Sequence, residues 1–275
     1  MMSVSSIALS DGRTIPQLGL GVWQSPADLT AQVVRTAIQA GYRSIDTAMI
    51  YRNEAAVGEG VRSADVPRED LFITTKLWND DQGYDQALWA FEASLKRLEM
   101  DYVDLYLIHW PAPKQGKYLD SWRALIRLQE EGRARSIGVS NFMPEHLRRI
   151  VAETGVSPVL NQIELHPRFQ QTDQRAIHVG MGIVTESWSP LGQGSLLENE
   201  TLEAIAAKHG KTPAQVIIRW HIDQGLVVIP KSVNPERIAQ NIDVFDFSLD
   251  DEDMQAIRKL DSTSGRLGPD PLAFG

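Results

Sequence analysis

Four residues whose side chains can exchange or stabilise protons stand at or just past the ends of three successive predicted strands: Asp46, Tyr51, Lys76 and His109. Each alone has an ordinary structural explanation, such as a buried aspartate that caps a turn. Together they suit proton transfer to a carbonyl oxygen. A tyrosine is a poor acid at neutral pH, with a reference pKa of about 10. A nearby ammonium group lowers that pKa by favouring the phenolate.

In this scheme Tyr51 donates the proton, and the other three side chains assist the proton transfer. Lys76 supplies the ammonium, and Asp46 keeps it charged and in place. His109 can hydrogen-bond the carbonyl and orient it. No nucleophile has a base beside it, which argues against acyl transfer. The six histidines show neither the H-E-x-x-H motif nor another ligand spacing, so no metal site is predicted.

The composition is that of an ordinary soluble globular protein, with 43% hydrophobic and 23% charged residues. The net charge of −9 argues against a nucleic-acid partner or an anionic membrane surface. The chain has no cysteine, which excludes disulfides and thiolate catalysis and fits a reducing compartment. Because we find neither a signal peptide nor an apolar run of roughly 20 residues, we expect a cytoplasmic protein.

Strand-like and helix-like segments alternate along the chain. Before them, residues 7–9 and 14–15 predict a hairpin that turns at Asp11 and Gly12 and plugs one end of the fold. Eight strands are predicted at residues 17–23, 42–47, 71–76, 103–109, 136–140, 159–165, 182–188 and 226–229. Helices are predicted at residues 26–40, 54–63, 84–98, 118–131, 144–152, 173–179, 201–208, 213–224, 235–242 and 250–260. No linker divides the chain, which predicts one domain over residues 1–275.

This alternation favours a (β/α)8 TIM barrel, an α/β fold, with the N-terminal hairpin and two extra helices. A doubly wound sheet is the alternative. Against it, no G-x-G-x-x-G opens a helix after a strand, and no Walker A motif is present. Active sites of such barrels lie at the carboxyl ends of the strands. The four residues above should therefore converge at one mouth of the barrel.

Two stretches around these residues resemble the aldo-keto reductase family. Residues 41–48, GYRSIDTA, with Glu54 and Gly58, resemble its first signature, and residues 104–111, DLYLIHWP, resemble its histidine strand. The resemblance extends along essentially the whole chain. It implies NADPH-dependent reduction of carbonyl compounds, with the four residues in the catalytic roles described above.

A third stretch resembles the cofactor signature of the same family. It consists of residues 229–232, IPKS, followed by Arg237, Gln240 and Asn241. Cations and a hydroxyl beside free N–H groups at the start of a helix also form an anion site on physical grounds. The resemblance places the adenosine 2′-phosphate at Lys231, Ser232 and Arg237, and the adenine at Gln240 and Asn241.

Other strand ends complete the predicted NADPH site. The resemblance implies that Ser140, Asn141 and Gln162 hold the nicotinamide amide. It also implies that Trp188 stacks on the ring, where many family members have Tyr. The full predicted set of cofactor-binding residues is Gly21, Val22, Trp23, Asp46, Ser140, Asn141, Gln162, Trp188, Ser189, Pro190, Leu191, Gly192, Gln193, Lys231, Ser232, Val233, Asn234, Arg237, Gln240 and Asn241.

The seven tryptophans divide into two groups. Those on predicted helices, Trp89, Trp122 and Trp220, are expected to pack in the interior. Of those at strand ends, Trp188 is left to the cofactor, and the other three contribute to a predicted substrate pocket lined by Trp23, Tyr51, Trp78, His109 and Trp110. We expect an open pocket, because the loop at 111–117 and the tail at 261–275 are short. Residues 79–80 and 266–271 resemble a bacterial subgroup that reduces 2,5-diketo-D-gluconate, methylglyoxal and β-keto esters.

Two other functions stay open. A barrel lyase or aldolase would form a Schiff base at Lys76, which needs a lysine of depressed pKa, and the adjacent Asp46 argues against that. A non-catalytic subunit would retain only the cofactor site, and the intact catalytic residues argue against it. We expect a monomer whose partner is a small carbonyl substrate, with no nucleic acid and no membrane.

Overall fold

A short antiparallel hairpin precedes the main sheet. The computed structural model describes residues 4–275 and pairs β1 (Ser6–Ala8) with β2 (Thr14–Pro16). The turn passes through Gly12, whose φ of +85° would strain a residue with a side chain. Leu9 and Ile15 pack against apolar side chains inside the larger sheet. The hairpin thus plugs one end of the fold, as predicted.

Eight parallel strands form a barrel in the part of the chain that the structure describes. They are β3 (Leu20–Gly21), β4 (Ser44–Asp46), β5 (Phe72–Leu77), β6 (Val103–Ile108), β7 (Ala134–Ser140), β8 (Leu160–Glu164), β9 (Val184–Trp188) and β10 (Val227–Val228). They pair in chain order from β3 to β10. A parallel bridge between Leu18 and Val228 joins the two outer strands. The predicted (β/α)8 fold is confirmed.

Ten α-helices surround the sheet within the described residues. They are α1 (Ala27–Ala40), α2 (Glu54–Arg62), α3 (Tyr84–Leu98), α4 (Tyr118–Glu130), α5 (Pro144–Thr154), α6 (Thr172–Gly180), α7 (Glu200–His209), α8 (Pro213–Asp223), α9 (Pro235–Ile242) and α10 (Asp251–Arg258). One helix follows each of strands β3 to β8, and two follow each of β9 and β10. Between residues 4 and 275, none of the helices combines the length and the apolar character that a membrane span needs.

Local sequence signals fix several helix ends. Helix α8 begins after Thr212, whose hydroxyl accepts from the backbone N–H of Gln215 while the Gln215 side chain accepts from the backbone N–H of Thr212, a capping box. Helix α1 ends at Gly41, with a φ of +111°, a conformation that lets the chain turn at once into β4. That turn directs Asp46 to the mouth of the barrel.

Apolar side chains fill the barrel and the layer beneath the helices. Strand β6 is buried at every residue, as expected for a parallel strand covered on both faces. Trp122 and Trp220 are buried as predicted. The same prediction is wrong for Trp89, which is 69% exposed. In α3 it lies two residues from the buried Phe91 and therefore on the opposite face of the helix.

Candidate active site

Three successive strands place the predicted catalytic side chains at one end of the barrel. Asp46 is the last residue of β4, Lys76 is the next to last of β5, and His109 follows β6 directly. In a parallel barrel these positions share the carboxyl edge. Tyr51 lies in a single 3₁₀ turn, Met49–Tyr51, just beyond β4. The fold therefore brings all four together.

A buried ion pair joins Lys76 to Asp46. Lys76 Nζ donates to Asp46 Oδ1 at 2.5 Å and to the Thr47 carbonyl at 2.9 Å. Burial disfavours the ammonium, but the attraction of Asp46 and Tyr51 outweighs it, and the pKa of Lys76 is raised. Asp46 therefore keeps Lys76 charged, in line with the role expected from the sequence.

Tyr51 lies beside this pair but is a weaker acid than the sequence predicts. Lys76 Nζ is 5.3 Å from the centre of the Tyr51 ring. Burial raises the pKa of Tyr51 more than the Lys76 ammonium lowers it, so the net pKa lies above its ordinary value. The predicted net lowering is wrong. Desolvation penalises the phenolate, and the charge of Asp46 opposes that of Lys76.

His109 faces Tyr51 as a neutral imidazole. The two ring centres are 5.7 Å apart in an edge-to-face arrangement, and Trp78 packs on His109 at 5.2 Å. Burial and the charge of Lys76 hold the pKa of His109 well below its ordinary value. A neutral imidazole can donate one hydrogen bond to a carbonyl oxygen without adding a charge to the site.

A cavity of about 550 Å³ opens beside these side chains. Its lining includes every residue predicted to contact substrate, namely Trp23, Tyr51, Trp78, His109 and Trp110. Trp23 remains 42% exposed, whereas Trp110 is buried. Aromatic rings thus form a large part of the cavity wall, and Tyr51 and His109 present polar groups to it.

The C-terminal tail covers one side of the cavity, and the expected openness of the pocket stays a prediction. Phe274 packs on Trp110 with ring centres 4.7 Å apart. The backbone N–H groups of Leu267 and Gly268 donate to the buried carboxylate of Glu164 at 2.6 and 2.8 Å. A short tail can therefore form one wall of the cavity, because a carboxylate in the barrel anchors it.

A second cavity of about 600 Å³ continues the first towards α9. Trp23, Gln24, Ser189, Pro190, Gln193 and Lys231 line both cavities. Within residues 4–275, neither Lys231 nor Arg237 has a carboxylate partner. One cleft therefore runs from Asp46, Tyr51 and His109 to the positive charges of Lys231 and Arg237, which are available to an anion.

Most residues predicted to bind cofactor line this cleft. The far cavity carries Leu191, Ser232, Val233, Asn234, Arg237, Gln240 and Asn241, and the near one carries Gly21, Asp46, Asn141, Gln162 and Trp188. Val22, Ser140 and Gly192 are buried and line neither cavity. Ser140 lies behind the wall, where its hydroxyl accepts from the Asn141 amide at 3.0 Å. Asn141 Oδ1 accepts the indole N–H of Trp188 at 2.8 Å, which fixes that ring.

The start of α9 differs in one respect from the prediction. Asn234 Oδ1 accepts from the backbone N–H groups of Glu236 and Arg237, at 2.8 and 3.1 Å. These N–H groups were expected to be free for an anion, and Asn234 caps them instead because asparagine is a favoured N-cap residue. An anion site here rests on the side chains of Lys231, Ser232 and Arg237.

Sequence reasoning missed a fifth ionisable group beside the site, Glu186 in β9. Gln162 Nε2 donates to Asp46 Oδ2 and to Glu186 Oε2, both at 2.8 Å. Burial, together with the negative charge of Asp46, raises the pKa of Glu186 to about 8. A glutamate inside a predicted buried strand was a possible signal. Its partner could be identified only from the sheet register, which pairs Gln162 with Glu186.

Comparisons with known proteins agree with this architecture. The sequence matches the Aldo/keto reductase family over residues 17–262. It is 59% identical to an aldo-keto reductase of Mycolicibacterium smegmatis over 98% of this chain and 97% of that protein. It is 52% identical to methylglyoxal reductase DkgA of Escherichia coli (strain K12) over 100% of both. A crystal structure of a Gox0644 mutant in complex with NADPH matches with a TM-score of 0.96 at 54% identity, over 100% of both chains. The chain belongs to the aldo/keto reductase family.

Proposed function

We propose that this protein is an NADPH-dependent oxidoreductase that reduces aldehyde and ketone carbonyls, with Tyr51 as the proton donor. The observation that carries the proposal is the cleft, in which an aromatic cavity beside Tyr51 and His109 continues into a cavity with two available cations. Such a cleft suits a small carbonyl compound next to a long anionic dinucleotide. NADPH supplies the hydride when it is bound.

The residues present fit NADPH at both ends of the cleft. Trp188 offers a flat ring, held by Asn141, on which a nicotinamide can stack. At the other end, Lys231 and Arg237 can make charge-assisted hydrogen bonds to a phosphate, and Ser232 adds a hydroxyl. The chemistry of the two ends thus corresponds to the two ends of this cofactor.

Two side chains of the protein act on the carbonyl oxygen during its protonation. His109 donates a hydrogen bond that orients the carbonyl, and Tyr51 gives its phenolic proton to the oxygen as negative charge develops there. Lys76 stabilises the phenolate that remains. Because the pKa of Tyr51 is raised, the acid form is present throughout the neutral range.

As substrates we propose methylglyoxal, 2,5-diketo-D-gluconate and β-keto esters. The proteins named methylglyoxal reductase DkgA in Yersinia pestis and Escherichia coli are 55% and 52% identical to this chain. The near cavity is bounded by Trp78, Trp110 and Phe274, and these rings suit compact molecules that combine apolar and polar surface.

NADPH consumption by the purified protein tests the proposal against a panel of dicarbonyls, keto sugars, β-keto esters and aromatic aldehydes. We expect turnover of at least one dicarbonyl. Bound NADPH without turnover of any carbonyl would overturn the proposal. Treatment with borohydride in the presence of substrate tests the lyase alternative, because it would trap a Schiff base at Lys76 as a covalent adduct. No covalent adduct should form at Lys76, because its side chain is fully buried and paired with Asp46.

A further inference from the structure

A buried carboxyl outside the four proposed catalytic residues connects to them through a single side chain. We propose that Glu186 is a positioning residue of the active site, which fixes the orientation of the Gln162 amide and, by losing its proton, sets the alkaline limit of carbonyl reduction. The catalytic part of this inference rests on the proposed function. The protonation of Glu186 can be measured without it.

The orientation of the Gln162 amide follows from its two acceptors. Its Nε2 donates one hydrogen to Asp46 Oδ2 and the other to Glu186 Oε2, each at 2.8 Å. An amide oxygen turned to the same place would face the Asp46 carboxylate, which has no hydrogen to donate, and the bond to Asp46 would be lost. The oxygen must therefore point away from the carboxyls. Because Gln162 lines the near cavity, the oxygen is available to an N–H donor on a bound molecule.

Among residues 4–275, the charged groups that act on Glu186 are Asp46 and Lys76, and both belong to the catalytic group. Glu186 is 1% exposed, and Asp46 of β4 faces it across Gln162. Lys76 of β5 lies beyond Asp46 and is already bonded to it. The residues that pair with Glu186 in the adjacent strands, Gln162 and Val227, carry no charge. An ionised Glu186 would therefore face a carboxylate more directly than an ammonium.

The proton on Glu186 consequently decides the charge of the site. With a pKa of about 8, the carboxyl is neutral at neutral pH and ionised in alkaline solution. The ionised form raises the pKa of Tyr51, which makes Tyr51 a weaker acid. We expect the rate of reduction to fall by roughly threefold to tenfold as the pH rises past the pKa of Glu186.

Carboxyl NMR of the protein labelled with [δ-¹³C]glutamate tests the protonation directly. Ordinary glutamate side chains titrate with a pKa of about 4.3. One resonance of the unmodified protein should instead titrate with a pKa of about 8, and this resonance should be absent from the spectrum of Glu186→Gln. The titration of the unmodified protein decides the point even if the variant does not fold. If every glutamate carboxyl is already ionised at neutral pH, the proposal is wrong, whatever the enzymatic activity.

The pH profile of the reaction tests the link to catalysis. Each enzyme is normalised to its own rate in mildly acidic solution, so that a general loss of activity does not enter. The unmodified enzyme should lose activity as Glu186 ionises, and Glu186→Gln should not, because an amide cannot ionise. A decline that persists unchanged in Glu186→Gln would overturn the proposal.

Glu54→Gln is the matched control. Glu54 is also 1% exposed, but it accepts hydrogen bonds from Thr75 and Arg97 and none from Gln162. Its replacement removes a buried carboxyl elsewhere and should preserve the alkaline decline. A decline that disappears equally in Glu54→Gln would show that the effect is not specific to Glu186 and would overturn the proposal.

Glu186→Leu tests the orienting role by removing the second acceptor of Gln162. The amide then keeps only its bond to Asp46, and NADPH affinity measured by fluorescence titration should fall by roughly threefold to tenfold, the effect of one imperfect hydrogen bond. A folded Glu186→Leu protein with unchanged NADPH affinity would contradict the orienting role.

Discussion

Lys76 Nζ lies 2.5 Å from Asp46 Oδ1, and the more exposed of the two side chains is only 3% accessible. A buried charge without a partner is strongly unfavourable, so each member of this pair depends on the other. Loss of either member would therefore destabilise the mouth of the barrel, and the pair also supplies the positive charge beside Tyr51.

Asp46→Asn should lower both stability and activity. It leaves the ammonium of Lys76 buried without a counter-ion, a change that costs about 3–5 kcal/mol in comparable pairs. Urea unfolding measures the loss. Asp120→Asn is the control, because Asp120 pairs with Arg123 on the exposed face of α4 and should contribute less than about 1 kcal/mol. Equal losses in the two variants would contradict a special role for the buried pair.

His109 should stay neutral across the neutral and mildly acidic range. Its folded-state pKa lies well below its ordinary value, whereas in the unfolded chain the His109 side chain is protonated with a pKa of about 6.5. The stability that neutral His109 contributes is therefore present above that pH and is lost as the pH falls towards the folded-state pKa. Ring-proton NMR should show no titration of His109 near 6.5. A normal titration there would contradict a neutral hydrogen-bond donor.

Arg237→Ala should shift cofactor preference towards NADH by weakening NADPH binding. One well-made charged hydrogen bond contributes roughly 1.5–3 kcal/mol, so NADPH affinity should fall by about tenfold to a hundredfold. NADH lacks the 2′-phosphate and should bind about as before. Fluorescence titrations with both cofactors measure the change.

Arg35→Ala is the control for this experiment, since Arg35 is exposed on α1 and lines neither cavity. It should change neither affinity. Equal losses of NADH and NADPH affinity in Arg237→Ala would mean that Arg237 supports the fold or the adenine, and not the phosphate.

Gly268→Ala should disturb the cofactor side of the cleft from the tail. A Cβ at this position would lie 2.5 Å from Trp188 Cη2 and 3.0 Å from Glu164 Oε2, so the tail or the indole must move. Overpacking of this kind costs about 1–3 kcal/mol, and we expect NADPH affinity to fall by about tenfold. Gly180→Ala, which meets nothing within 4 Å, is the matched control. Unchanged NADPH affinity in Gly268→Ala would show that the tail does not position Trp188.

The barrel and the positions of its polar residues could be predicted because both depend on local patterns. Apolar strands alternate with helices whose ends carry recognisable signals, such as Gly41 and Thr212. His109 comes at the end of a nearly apolar strand and Lys76 at the end of a strand rich in β-branched residues, and the carboxyl edge of a barrel gathers such residues.

The parts that sequence reasoning missed depend on contacts between distant segments. Glu164 holds the N–H of Leu267, 103 residues away, and no local pattern in the tail predicts that bond. The pair of Gln162 with Glu186 requires the sheet register. The net pKa of Tyr51 depends on how much water the fold removes, and residue types alone do not give that quantity.

Carbonyl reduction by Tyr51→Phe is the most direct test of the account. The change removes the phenolic proton and keeps the ring that packs on His109. NADPH oxidation with the best substrate should fall by roughly 10²–10⁴-fold, while a fluorescence titration should show that NADPH still binds. Near-normal turnover by a folded Tyr51→Phe protein would contradict the assignment of Tyr51 as the proton donor.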